Sequence, residues 1–166
     1  MNRVNNILFH STYQQYYGEI QSLEADRKFC GHTMEHFLAV ARLSVIMARE
    51  EGLDIDKEVI YATALLHDIG RALEMTKGIP HHEGSVLIAC DILDECGFDK
   101  EEEEMIVQAI EGHREMASKK RNKSPAAEGF TVVFRKADKL SRNCFDCLAI
   151  DECNWPMNKK NKGITL

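Results

Sequence analysis

Apolar residues recur along this chain at the three-and-four spacing of a helix face, not at the alternation of a strand. From His36, the residues Ala39, Val40, Leu43 and Met47 follow at +3, +4, +7 and +11, a stripe that ends before Gly52. Ile60, Ala64 and His67 line a second stripe, and Val86, Ala89, Cys90 and Leu93 a third. Ile106, Ala109, Ile110 and His113 share a fourth face, and Phe134, Ala137, Asp138 and Ser141 a fifth. Recurrent glycines, among them Gly52, Gly70, Gly78 and Gly97, and the prolines Pro80, Pro125 and Pro156 punctuate these stripes as short turns would. The one β-branched cluster, Thr131-Val132-Val133, is isolated and runs on into a helical pattern. The spacing predicts an all-α fold.

Length and charge fit one compact domain over residues 1–166. The 166 residues carry 21 Lys or Arg against 27 Asp or Glu, a net charge of −6 with histidines neutral. An apolar share of 44% and a charged share of 29% are ordinary for a globular chain. A domain of this size buries roughly 70% of its unfolded surface, so the six cysteines are not needed as staples and are expected to be reduced. The mild acidity argues against general nucleic-acid binding, which rests on clustered Lys and Arg. No apolar run approaches the ~20 residues of a membrane span, and Met1 to Gly18 lacks a secretory pattern. A cytoplasmic protein without a membrane partner is expected; oligomeric state is left open.

The stripes also carry polar residues turned inward. His36, His67, Asp68, His113 and Asp138 each fall on or beside an apolar face, close to the end of an element. One inward histidine needs only a backbone hydrogen bond, but an inward carboxylate must lose its charge or find a cation. A divalent ion satisfies the whole set at once. Imidazole with carboxylate suits Fe, Mn, Zn or Co better than Mg or Ca. The neighbours His67 and Asp68 point about 100° apart on a helix, yet at a helix end both reach one ion.

Five segments, in order, resemble the HD-domain superfamily of metal-dependent phosphohydrolases. They are His36-Phe37-Leu38-Ala39-Val40-Ala41, Ala64-Leu65-Leu66-His67-Asp68-Ile69-Gly70-Arg71, His81-His82-Glu83-Gly84-Ser85, Ala109-Ile110-Glu111-Gly112-His113 and Lys136-Ala137-Asp138-Lys139. The resemblance implies a helical bundle of about six to seven helices, with its core at about 30–145 and a cysteine-containing tail at 146–166. It further implies that His36, His67, Asp68 and Asp138 hold one metal, and that His81 and His113 add a second bridged by Asp68. His82 is the alternative to His81. Such a six-ligand, binuclear subgroup includes diadenosine tetraphosphate hydrolases and cyclic dinucleotide phosphodiesterases. Arg71 stands where the latter carry a lysine, which gives it a phosphate-binding role beside Asp68 in catalysis.

The activity implied is hydrolysis of a nucleotide or related small phosphate ester by a metal-activated water. Single-metal nucleotidases often place an acid shortly after the His-Asp pair; here only Glu74 could serve, which weighs against a mononucleotidase. Two other readings share the ligands: a mixed-valence di-iron oxygenase, and a non-catalytic, metal-stabilised nucleotide-binding regulatory module.

Further residues are candidates for lesser roles. His32 lies four residues before His36 on the same helical side, as a support, a substrate contact or a partly exposed helix start. Lys139 and Arg142 follow Asp138 by one and four residues, so one turn brings Arg142 near the site; solvated charge is the simpler account of Lys139. Arg114, Lys119, Lys120, Arg121 and Lys123 form a basic stretch that could close over a polyphosphate. Cys144, Cys147 and Cys153, with Cys30 or His32, could form a structural zinc site; small core residues around Trp155 are the plainer alternative.

Overall fold

A computed structural model describes residues 1–27, 31–113 and 124–142. Among these residues every regular element is a helix: α1 (Asn2–Phe9), α2 (Ser11–Leu23), α3 (Met34–Glu50), α4 (Lys57–Leu66), α5 (Arg71–Lys77), α6 (His81–Glu95), α7 (Lys100–Gly112) and α8 (Pro125–Ser141). None is long and apolar enough to cross a membrane.

Local chemistry sets the boundaries. The Thr33 side chain accepts from the backbone N–H of His36 and starts α3. Asp56 does the same for α4, accepting from Glu58 at 2.6 Å. Asp99 and Glu102 form a reciprocal capping box at α7, and Ser124 followed by Pro125 opens α8. Gly78 ends α5 in the left-handed region at φ 70°, a conformation that favours glycine.

Helix α4 is the centre of the bundle. Val59, Ile60 and every residue from Ala62 to Leu66 are buried, as expected for a helix apolar on all sides. It packs against α3, α7, α6 and α1, while α8 lies across α3 and α7. The buried face of α3 is Phe37, Val40, Ala41, Ser44 and Ala48, turned from the stripe of Ala39, Leu43 and Met47, which are only half-buried. The cause is that α3 lies between α4 and α8, so its buried arc is set by two neighbours.

The core also begins earlier than residue 30. Val4 and Ile7 of α1 and Tyr13 and Ile20 of α2 are buried in the same cluster as α4. Arg3 ties α1 down, bonding Glu58 and Glu102 while its guanidinium lies 4.3 Å from the Phe98 ring centre. In turn α2 holds the approach to α3: Tyr17 Oη accepts from Met34 N at 2.9 Å, and Gln21 Nε2 donates to the His32 carbonyl at 3.0 Å.

One close approach positions the site. A Cβ on Gly70 would lie 2.2 Å from both the His81 carbonyl oxygen and Ser85 N, so only glycine lets α6 approach here. Ser85 Oγ accepts from Gly70 N at 2.9 Å and donates to the His67 carbonyl at 2.8 Å. This clip joins the start of α6 to the turn after α4.

Candidate metal centre

Helix α4 stops at Leu66, and the chain turns through His67, Asp68, Ile69 and Gly70 before α5. At that turn both side chains of the His-Asp pair point into one buried space. His67 Nε2 lies 3.2 Å from Asp68 Oδ2. Asp138, from α8, places Oδ1 3.5 Å from His67 Nε2 and 3.7 Å from His36 Nε2. On the other side Asp68 Oδ1 lies 3.6 Å from His81 Nε2 and 3.7 Å from His113 Nε2. Two groups of ligand atoms result, His36, His67, Asp68 and Asp138 in one, Asp68, His81 and His113 in the other. Asp68 belongs to both.

The hydrogen bonds fix which ring nitrogen faces inward. His67 Nδ1 lies 2.8 Å from the Ala64 carbonyl, and His113 Nδ1 bonds the Ile110 carbonyl, so each Nδ1 must donate. His81 Nδ1 faces Glu74 Oε1 at 3.2 Å. Ser141 Oγ donates to the Asp138 carbonyl and therefore accepts from His36 Nδ1, 3.3 Å away. Every Nε2 is thereby turned into the cluster, the position from which an imidazole ligates a metal once that nitrogen is free of its proton.

Several of these atoms are buried without a hydrogen-bond partner: His36 Nε2, His67 Nε2 and Asp68 Oδ1. An unmet buried donor or acceptor is costly, and these three face the two ligand groups, the histidine nitrogens the first and Asp68 Oδ1 the second. Around one ion with bonds of about 2.1 Å, neighbouring donors stand roughly 3.0–3.4 Å apart, close to the spacing seen here. The residues present fit divalent metal in both groups.

The electrostatics agree. Burial alone would raise the Asp68 carboxyl, but His67, His32 and His113 outweigh it and hold it well below the usual carboxylate range. Burial likewise opposes the charge on Asp138, and His67 with Arg142 overcomes it. His67 is itself disfavoured as a cation by burial, yet its two carboxylate neighbours push it up to about 9. Burial and the positive field of His67 pull His36 down to about 3.

The structure separates the remaining candidates. His81 is buried while His82, next to it, is partly exposed beside Glu83, so His81 is the inward member of the pair. Arg71 places Nε 3.5 Å from Asp68 Oδ1 and bonds Glu74 Oε2 at 2.7 Å. Arg142 bonds both carboxylates, Asp138 Oδ1 at 2.9 Å and Asp68 Oδ2 at 3.0 Å. Lys139 is exposed, about 100° round α8 from Asp138.

His32 does not ride on α3. Because Thr33 caps that helix, His32 precedes it and is buried, not partly exposed. It is held by Glu24, whose carboxylate accepts from His32 N at 2.8 Å and faces Nδ1 at 2.6 Å; His32 Nε2 then stands 3.4 Å from Asp68 Oδ2. Despite a burial cost, these bonds lower the Glu24 carboxyl to about 2. Sequence reasoning missed Glu24, an acid at the polar end of α2 with no pattern to mark it. The basic stretch at 114–123 and the proposed zinc ligands Cys30, Cys144, Cys147 and Cys153 lie outside the described residues.

Against known proteins, the family model for the HD domain matches residues 33–143. An uncharacterized protein of Clostridium beijerinckii is 44% identical over 161 residues, 97% of each chain. Ribonuclease Y of Nitratidesulfovibrio vulgaris is 33% identical over 113 residues, 68% of this chain but only 18% of that protein. A predicted HD superfamily hydrolase from an uncultured Thermotogales bacterium, known from its crystal structure, superposes with a TM-score of 0.57 at 24% identity. That match covers 82% of this chain and 71% of the other and bears on the fold.

Proposed function

The chain belongs to the HD-domain family, and from that premise we propose that it is a metal-dependent phosphohydrolase acting on a nucleotide or related small phosphate ester. The observation that carries the reading is Asp68: one buried carboxylate shared by two groups of inward-facing imidazoles. His36, His67, Asp68 and Asp138 would hold one divalent ion, and Asp68, His81 and His113 a second, with Fe, Mn, Zn or Co favoured over Mg by the nitrogen-rich donors. Bound ions would supply Lewis acidity, attracting phosphate oxygens and making water acidic enough to attack near neutral pH.

The chain's own groups divide the remaining work. Asp68 fixes both ligand groups relative to each other. Arg71, buried except for 12% of its side chain, presents a guanidinium to a phosphate oxygen while Glu74 holds it in place. Arg142 offers a second guanidinium, at the other oxygen of Asp68. His32, braced by Glu24, borders the same space as a substrate contact. Lys139 is exposed on α8, turned from the face that carries Asp138. The similarity to ribonuclease Y brings phosphodiesters within the substrate class. We place the activity in the cytoplasm.

The test is a panel of nucleotides, phosphomonoesters and phosphodiesters assayed without oxygen, with Mn, Fe, Co, Zn and Mg in turn. Phosphate or nucleotide release that is abolished in a folded Asp68→Ala variant is expected. Oxygen consumption with no anaerobic release would replace this reading with the di-iron oxygenase. Metal binding with neither activity would replace it with the regulatory module.

A further inference from the structure

Arg142 bonds particular atoms of the two carboxylates. Asp138 Oδ1 is the oxygen that faces His36 and His67, and Asp68 Oδ2 is the oxygen that faces His67 and His32. The guanidinium takes both, at 2.9 and 3.0 Å. It thus neutralises the two carboxylates from the oxygens that would otherwise meet a cation. The second ligand group differs. Asp68 Oδ1 has no hydrogen-bond partner, and Arg71 Nε stays 3.5 Å from it while Arg71 bonds Glu74.

Arg142 is placed to let go. It is the C-cap of α8, beyond the last helical residue, and its side chain keeps 20% of its surface in contact with solvent, whereas Asp68 keeps none. A long side chain at a helix end can leave such a position by rotating about its own torsions.

We propose that Arg142 is an exchangeable counter-ion. It neutralises Asp68 and Asp138 in the metal-free protein and yields both oxygens when metal is loaded. It thereby sets the metal affinity of the group formed by His36, His67, Asp68 and Asp138. The inference rests on the metal-centre reading above. Its physical content is competition: the affinity observed is that of the ligand set reduced by the two charge-assisted bonds given up. It also reconciles the two roles of Arg142, because the released guanidinium becomes available to an anionic oxygen of the substrate.

The experiment is a Mn²⁺ titration of the full chain, wild type against Arg142→Gln and Arg142→Lys. Removing a ligand's partner normally weakens a metal site; removing a competitor tightens it. Arg142→Gln is expected to bind Mn²⁺ about tenfold tighter or more, with Arg142→Lys between it and the wild type. The metal-free Arg142→Gln protein should melt below the metal-free wild type, and added metal should narrow that gap. A second measurement needs only the wild type: in a Zn²⁺ titration, the Nε–H resonance of Arg142, identified by its absence in Arg142→Lys, should leave its carboxylate-bonded position. Unchanged or weaker Mn²⁺ binding in Arg142→Gln, or an unmoved Nε–H resonance, would overturn the exchange while leaving the metal centre intact. Failure of the wild type to bind Mn²⁺ and Zn²⁺ at all would overturn both.

Discussion

The Nε2 atoms of His81 and His113 face each other at 3.3 Å. Each ring has its Nδ1 on a protein acceptor, Glu74 for His81 and the Ile110 carbonyl for His113. Two neutral rings would therefore oppose lone pair to lone pair. A proton or a cation between them removes the conflict, and Asp68 Oδ1 lies within 3.7 Å of both nitrogens to share it. Replacing His81 by alanine should lower bound metal from two equivalents to one, whereas the same change at His82, one residue on, should leave the stoichiometry unchanged. Elemental analysis of the purified variants decides between them.

Glu24 acts on the site through His32. With both side chains almost fully buried, truncating Glu24 to alanine leaves the imidazole without its anchor beside Asp68. Supporting partners of this kind are worth about 10–100-fold. The expected result is a fall of that size in kcat/KM for the best substrate of the panel, with metal stoichiometry retained because His32 belongs to neither ligand group.

Gly70→Ala tests the clip between the His-Asp turn and α6. The added methyl would meet backbone atoms of His81 and Ser85 at 2.2 Å, and backbone cannot rotate away. Destabilisation of about 3 kcal/mol or more is expected, a drop of roughly 6–12 °C in Tm for a domain of this size. Ser85→Ala removes only the hydroxyl that joins Gly70 N to the His67 carbonyl and should cost about 1–3 kcal/mol. Calorimetry of the metal-free proteins measures both.

His67 gives the metal-free protein a pH signature. Its value is raised from 6.5 to about 9, because Asp68 and Asp138 outweigh the cost of burial. The stability this provides is complete below pH 6.5 and is lost as pH rises through 9. At pH 7 the ring carries a proton that must leave before Nε2 can ligate, so metal binding should release about one proton per chain. Calorimetric titration in buffers of different ionisation enthalpy reads that proton directly; zero release would show that His67 is neutral before metal arrives.

Much of this site is legible in the sequence because its ligands sit on helical stripes or at their ends. His67 follows directly on α4, a helix buried on nearly every side, and Phe134, Ala137 and Asp138 share the buried face of α8, so the apolar pattern turns those polar groups inward. Periodicity does not fix how far a face is rotated, which is why α3 buries Phe37 and Ser44 in place of Leu43 and Met47. It is also silent where no stripe exists. His32 and Glu24 meet across a gap between helices, held by Tyr17 and Gln21 from α2, and nothing local in the chain announces that meeting. The resemblance favours His81 and leaves His82 as the alternative; the packing of α6 against Gly70 buries His81 and leaves His82 partly exposed.

The most direct trial of the central claim is anomalous diffraction from crystals of the full chain grown with Mn²⁺. Two anomalous peaks flanking the Asp68 carboxylate are predicted, one beside His36, His67 and Asp138 and the other beside His81 and His113. Peaks elsewhere on the molecule, or none in crystals saturated with Mn²⁺, would contradict it.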